Sequence, residues 1–147
     1  MEDIAVLVDG LLSKDNNAAY ACLQQLQKEC EISDAVYPYF DLFAEMLFSG
    51  NSYVRTRGML LIAANAKWDT DYKIDEIIDE YLKHIEDEKP ITSRQCIKAL
   101  PEIAKCKPEL ASDILRALKN ANTGKYKSSM QPLIQKDIAD ALMLINE

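Results

Sequence analysis

The chain has 147 residues, 48% of them hydrophobic and 7% aromatic, with a formal net charge of −7. This composition excludes disordered and membrane-spanning classes, and the length suits one domain burying roughly two-thirds of its unfolded surface. Apolar runs all fall short of the roughly 20 residues that cross a bilayer, and Glu2 and Asp3 stand where a signal peptide carries positive charge, so a cytoplasmic location with no membrane contact is expected.

Gly and Pro are sparse and no β-branched alternation occurs, so the spacing predicts helices throughout. The first, over about 3–13, places Ile4, Val8, Leu11 and Leu12 on one stripe, with Val6 and Leu7 off it. After the polar break 13–17, where Asn16 and Asn17 are cap candidates, a second helix reaches Cys30. The third runs to Ser49, with Pro38 in its first turn or kinking it, and Gly50 suits a left-handed helix end. Asn51 or Ser52 then caps the fourth, 51–69.

The fifth helix, about 71–86, is amphipathic through Ile74, Ile77, Ile78, Tyr81, Leu82 and Ile85. The sixth, 91–106, holds Pro101, which predicts a kink, and Pro108 opens the seventh. A polar loop at 120–131 leads to Pro132 and the eighth helix.

These eight helices pair. The strings AYACLQQLQK (19–28), GMLLIAANAK (58–67), CIKALPEIAK (96–105) and IADALMLINE (138–147) align without gaps, with apolar fourth, fifth and eighth residues except at Asn65. The offsets of 39, 38 and 42 residues lie near the period of HEAT and armadillo arrays. In the fourth helix, Val54-Arg55 followed by Gly58-Met59-Leu60-Leu61-Ile62-Ala63 resembles the second helix of a HEAT repeat. The whole chain thus resembles a small free-standing bacterial HEAT-like protein. The resemblance implies an all-α, right-handed superhelical solenoid of four helix pairs, about 1–30, 31–68, 69–106 and 107–147. It also implies second helices lining a concave side that binds protein.

Cys22, Cys30, Cys96 and Cys106 lack the spacing of zinc or iron–sulfur ligands and read as buried small hydrophobes, so no metal or cofactor is expected. His84 follows Glu80 by four residues and reads as a surface Glu–His pair. Asp75, Glu76, Asp79 and Glu80 fall opposite the apolar stripe of the fifth helix, as a solvated face does, with binding of a basic partner the other reading. HEAT-like DNA glycosylases of the alkylation-repair type set Trp, Asp and Arg on their concave face. Trp68, Asp69 and Arg55 are similar to that set, but with a single Trp in an acidic neighbourhood the preferred reading is that Trp68 packs between repeats and Asp69 caps the fifth helix.

Charge is uneven along the chain. Residues 1–88 hold 18 acidic and 7 basic side chains, about −11, whereas residues 89–136 hold 10 basic and 3 acidic, about +7. The basic block includes Arg94, Lys98, Lys105, Lys107, Arg116, Lys119, Lys125 and Lys127, with Tyr126 in the run KYK. Interleaved cations and an aromatic suit nucleic-acid phosphates; they suit equally an acidic protein or the acidic end of a second copy. The reading adopted is a non-enzymatic interaction or scaffold module, with Arg55, Asn65, Lys67, Trp68, Lys98, Glu102 and Lys105 as its partner-binding residues. Nucleic-acid binding through 89–136 is the alternative. Val6 and Leu7, off the main stripe, point further to self-association through the first helix.

Overall fold

The computed structural model describes residues 3–146. Among these the chain is all-α, with eight α-helices, four short 3₁₀ segments and no strand. They group into two compact units, Met1–Lys73 and Ile74–Glu147.

In the first unit, Asp3 caps α1 (Ile4–Gly10) by accepting the Ala5 N–H at 3.0 Å. The buried stripe of α1 is Leu7, Val8 and Leu11, so Leu7 points inward while Leu12 and Val6 are exposed. Leu12 was placed on the stripe by carrying helical spacing past Gly10, where α1 ends and spacing no longer sets a direction, whereas Leu7, three residues after Ile4 and four before Leu11, belongs to the stripe by that spacing itself. α2 (Asn16–Ile32) is capped by Asp15, which accepts from the Asn17 and Ala18 N–H groups, rather than by Asn16 or Asn17. Pro38 sits in a 3₁₀ turn, Tyr37–Tyr39, that leads into α3 (Phe40–Met46). No described glycine has a positive φ, so Gly50 does not end a helix in the left-handed region; the 47–49 backbone turns on bonds back to residues 44–46 instead. Asn51 caps α4 (Ser52–Ala64) by accepting the Tyr53 N–H at 2.9 Å.

The crossing of α3 and α4 explains Gly58. A Cβ there would lie 2.8 Å from the Phe43 carbonyl oxygen and 2.7 Å from Met46 Cβ, so only glycine admits this approach of two backbones.

In the second unit, α5 (Lys73–Lys83, whose first residue closes the first unit) buries Ile74, Ile78 and Tyr81 and passes into a 3₁₀ turn, His84–Glu86. α6 (Pro90–Cys106) continues as one helix past Pro101. A 3₁₀ turn at Pro108–Leu110 opens α7 (Ala111–Lys119), and α8 (Gln131–Ile145) follows the long loop. The aligned fourth, fifth and eighth positions are buried at Leu23, Leu26, Leu61, Ile62, Asn65, Ala99, Leu100, Ile103 and Ala141, and half-buried at Cys22, Leu142 and Ile145. The sequence repeat is therefore a repeat of burial. It weakens in α8.

Candidate functional site

Four of the proposed partner residues lie in the first unit. Arg55, in the first turn of α4, is buried, and its Nη1 donates to the Ser49 carbonyl at 3.0 Å. Asn65, at the end of α4, is fully buried and donates through Nδ2 to Leu61 O at 2.8 Å. The 3₁₀ turn Ala66–Trp68 leaves Lys67 exposed and Trp68 half-buried, with the indole N–H donating to Cys30 O at 2.8 Å. Trp68 thus ties the exit of α4 to the end of α2. Asp69 is buried, accepts from Tyr37 Oη at 2.6 Å and from the Lys73 N–H at 2.9 Å, and so caps α5. Arg55, Trp68 and Asp69 are each engaged in the internal bonding of this unit.

The other three residues, in the second unit, share one face of α6. Lys98, Glu102 and Lys105 follow at i, i+4 and i+7, all exposed, while Ile97, Leu100 and Ile103 fill the buried side. Glu102 accepts a weak bond from Cys106 Sγ at 3.5 Å. The result is a rigid helix displaying a cation–anion–cation strip.

Two features escaped the pattern of the sequence. His84 is buried, and its Nδ1 lies 2.8 Å from Asp87 Oδ2, whereas Glu80 pairs with Lys83 at 3.0 Å. The helix turns into 3₁₀ geometry at His84, which moves its side chain off the exposed face expected from α-helical spacing. Asp87 also accepts the Lys89 N–H at 2.9 Å, and Ser93 Oγ donates to Ile85 O at 2.5 Å. Onto this corner the 120–131 loop folds back. Tyr126, buried, donates its hydroxyl to Asp87 O at 2.5 Å, and Lys125 Nζ donates to Glu86 O. The KYK run is therefore a strap in which the aromatic ring is packed away from solvent. No signal in the sequence distinguished it from an exposed Lys–Tyr–Lys run.

Other cations of the basic block are also paired. Lys107 is buried and meets Asp75 at 2.8 Å and Glu109 at 3.4 Å; Arg94 Nε meets Asp137 at 2.6 Å, which raises the Arg94 pKa further. Arg116 meets Asp113 at 3.1 Å. Lys89, Lys98, Lys105, Lys119 and Lys127 are exposed. A surface groove of about 330 Å³ runs along α7, lined by Ser112, Leu115, Arg116, Lys119 and Asn120.

Burial pushes the Cys30 thiol up to about 11, against smaller pulls from Asn65 and Lys67, and it pushes Cys96 up as well. Both are protonated, packed groups at neutral pH. Among the described residues no cluster of three or more His, Cys, Asp or Glu is placed to hold a metal ion, and no helix is long and apolar enough to cross a membrane.

No protein-family model and no curated protein matches the chain. Among solved structures, the crystal structure of an engineered protein is similar, with a TM-score of 0.66 and 22% identity over 99% of this chain. At that identity the likeness is one of fold. The chain spans 63% of the length of that protein.

Proposed function

We propose that the chain is a HEAT-like, right-handed solenoid of four helix pairs that acts as a cytoplasmic, non-enzymatic protein-interaction module. The observation that carries this reading is the exposed Lys98–Glu102–Lys105 strip on α6, held by a helix whose opposite side is packed. Mixed charge on a rigid support gives register and specificity to a protein partner, which a uniformly basic strip does not. In the first unit Lys67 and the exposed edge of Trp68 offer a smaller patch beside Cys30, next to buried Asn65, while buried Arg55 lies at the other end of α4.

The alternative, phosphate binding by the 89–136 segment, loses its aromatic element because Tyr126 is buried in the strap. It also loses Lys107, Arg94 and Lys125 to internal partners. The fold likeness leaves the partner open, since fold alone carries no function.

The test is capture from native cytosol, with and without nuclease, by wild type and by Lys98→Glu/Lys105→Glu. A nuclease-resistant protein partner lost in the variant is the expected result. Capture abolished by nuclease, with an affinity that falls steeply with salt, would instead establish the nucleic-acid reading.

A further inference from the structure

We propose that His84 works the 120–131 strap as a pH-sensitive latch, closed while the imidazole is neutral and released when it takes up a second proton. The inference is independent of the partner reading above and lies wholly within the second unit. His84 is 8% exposed, and its Nδ1 lies 2.8 Å from Asp87 Oδ2. A carboxylate only accepts, so Nδ1 carries the hydrogen and Nε2 is left as a bare acceptor. That Nε2 is buried and has no hydrogen-bond partner among the described residues.

An acceptor without a donor is tolerated. A second proton turns Nε2 into a cationic N–H with nothing to receive it, which is far costlier in a buried place. Attraction to Asp87 opposes that cost, but the carboxylate already accepts from Nδ1, so the proton adds charge and no new hydrogen bond. The ring gains an acceptor by turning out to water, and this breaks the contact that closes the 84–87 turn.

The strap hangs on that turn. Tyr126 donates its hydroxyl to Asp87 O at 2.5 Å, and Lys125 Nζ donates to Glu86 O. Bonds from Gln131 Nε2 to Tyr126 O at 2.7 Å and from Gln135 Nε2 to Thr123 Oγ1 at 3.1 Å tie it instead to the start of α8. The other buried titratable groups of the corner come from each neighbouring element: Tyr81 on α5, Cys96 on α6, whose Sγ lies 3.7 Å from Tyr81 O, and Tyr126 on the strap. Burial pushes all three up, so they stay protonated at neutral pH and below. Glu86, Glu88, Lys89 and Lys125 are at the exposed rim. Histidine is the side chain whose charge ordinarily changes between about pH 5 and 8. The open form takes the proton more readily, so falling pH shifts the strap toward it and presents the Tyr126 ring, beside Lys125 and Lys127, to solvent.

Aromatic NMR of the full chain from about pH 8 to 5 tests this. His84 is the only histidine, and Tyr126→Phe assigns the Tyr126 ring among the seven tyrosines. The Tyr126 signals are expected to move to solvent-exposed values in step with the His84 titration, on one midpoint. His84→Asn keeps a donor where Nδ1 stands but takes up no proton, so its strap is expected to stay closed over the whole range. Tyr126→Phe weakens the closed form and leaves His84 in place, so it is expected to move the His84 midpoint to higher pH. It carries the test should His84→Asn fail to fold. Tyr126 signals that hold still while His84 titrates, a strap that opens alike in His84→Asn, a His84 that does not titrate in this range, or a midpoint unmoved by Tyr126→Phe would overturn the proposal.

Discussion

The two units are fastened by different means. The first adds close approach to polar ties such as Tyr37–Asp69 and Trp68–Cys30: Gly58 lets α4 meet the backbone of α3, Gly10 faces Cys22, and buried Arg57 donates to the Leu11 carbonyl at 2.8 Å and Asn16 Oδ1 at 2.9 Å. Both of those Arg57 acceptors are neutral, and burial lowers its pKa. The second unit relies on charged and hydroxyl side chains that cross between elements: Lys107–Asp75, Arg94–Asp137, His84–Asp87 and the Tyr126 strap. Steric closure is intolerant of added atoms and indifferent to salt. Polar closure tolerates volume and is sensitive to loss of a partner.

The largest way to break this contrast is Gly58→Ala. Its Cβ would press on the Phe43 carbonyl oxygen, a backbone atom that cannot rotate away. Overpacking there is expected to cost about 1–3 kcal/mol even after the helix-propensity gain of alanine. A lowered urea midpoint at unchanged slope checks it. Gly10→Ala is expected to cost less, because the group it meets is the tip of the Cys22 side chain, which has other rotamers. Equal losses at the two glycines would refute the steric account.

Next in size is Tyr126→Phe in the second unit. It deletes the hydroxyl that donates to Asp87 O while keeping the buried ring, so the expected loss is about 1 kcal/mol. Cleavage within residues 120–131 by limited proteolysis should accelerate more than the midpoint shift suggests, since the strap opens before the helices do. Unchanged cleavage would mean that the ring, not the hydroxyl, holds the loop.

Much of the helical order was legible in the sequence because apolar spacing with period 3.6 is strong in α5, α6 and α7, whereas α4, which has no single apolar stripe, was legible through its alignment with the other second helices. The caps Asn51 and Asp69 were legible too, as was the buried repeat through Leu23, Ile62 and Leu100. What spacing did not convey was the direction of side chains where α-helix gives way to 3₁₀ or to a turn. His84 and Leu12 were both misread for that reason: one faces Asp87 and the other solvent. Tyr126 was illegible on a different ground, since a contact with a residue 39 positions away leaves no local trace. Of the proposed partner residues, exposure of Lys98, Glu102 and Lys105 followed from helix phase. Burial of Arg55 followed from a carbonyl at Ser49 that no periodicity locates.

The smallest predicted effect sharpens the comparison at alkaline pH. Cys30 in the first unit ionises near 11, against 9.0 for an unconstrained thiol, because burial disfavours the thiolate. A folded-state pKa above the unfolded one stabilises the protein fully below the unfolded value, and that contribution is lost as pH rises through the folded one. Stability is therefore expected to decline between about pH 9 and 11, and Cys30→Ala should flatten part of that decline. Cys96 is shifted in the same direction by burial and by the charge of Asp87, so its thiolate is opposed by the polar network that fastens the second unit. Asp87→Asn should therefore ease ionisation of Cys96 and leave Cys30 unmoved. Cysteine Cβ chemical shifts followed against pH on the two single-cysteine variants would read this, and a change in neither would show that burial alone governs them.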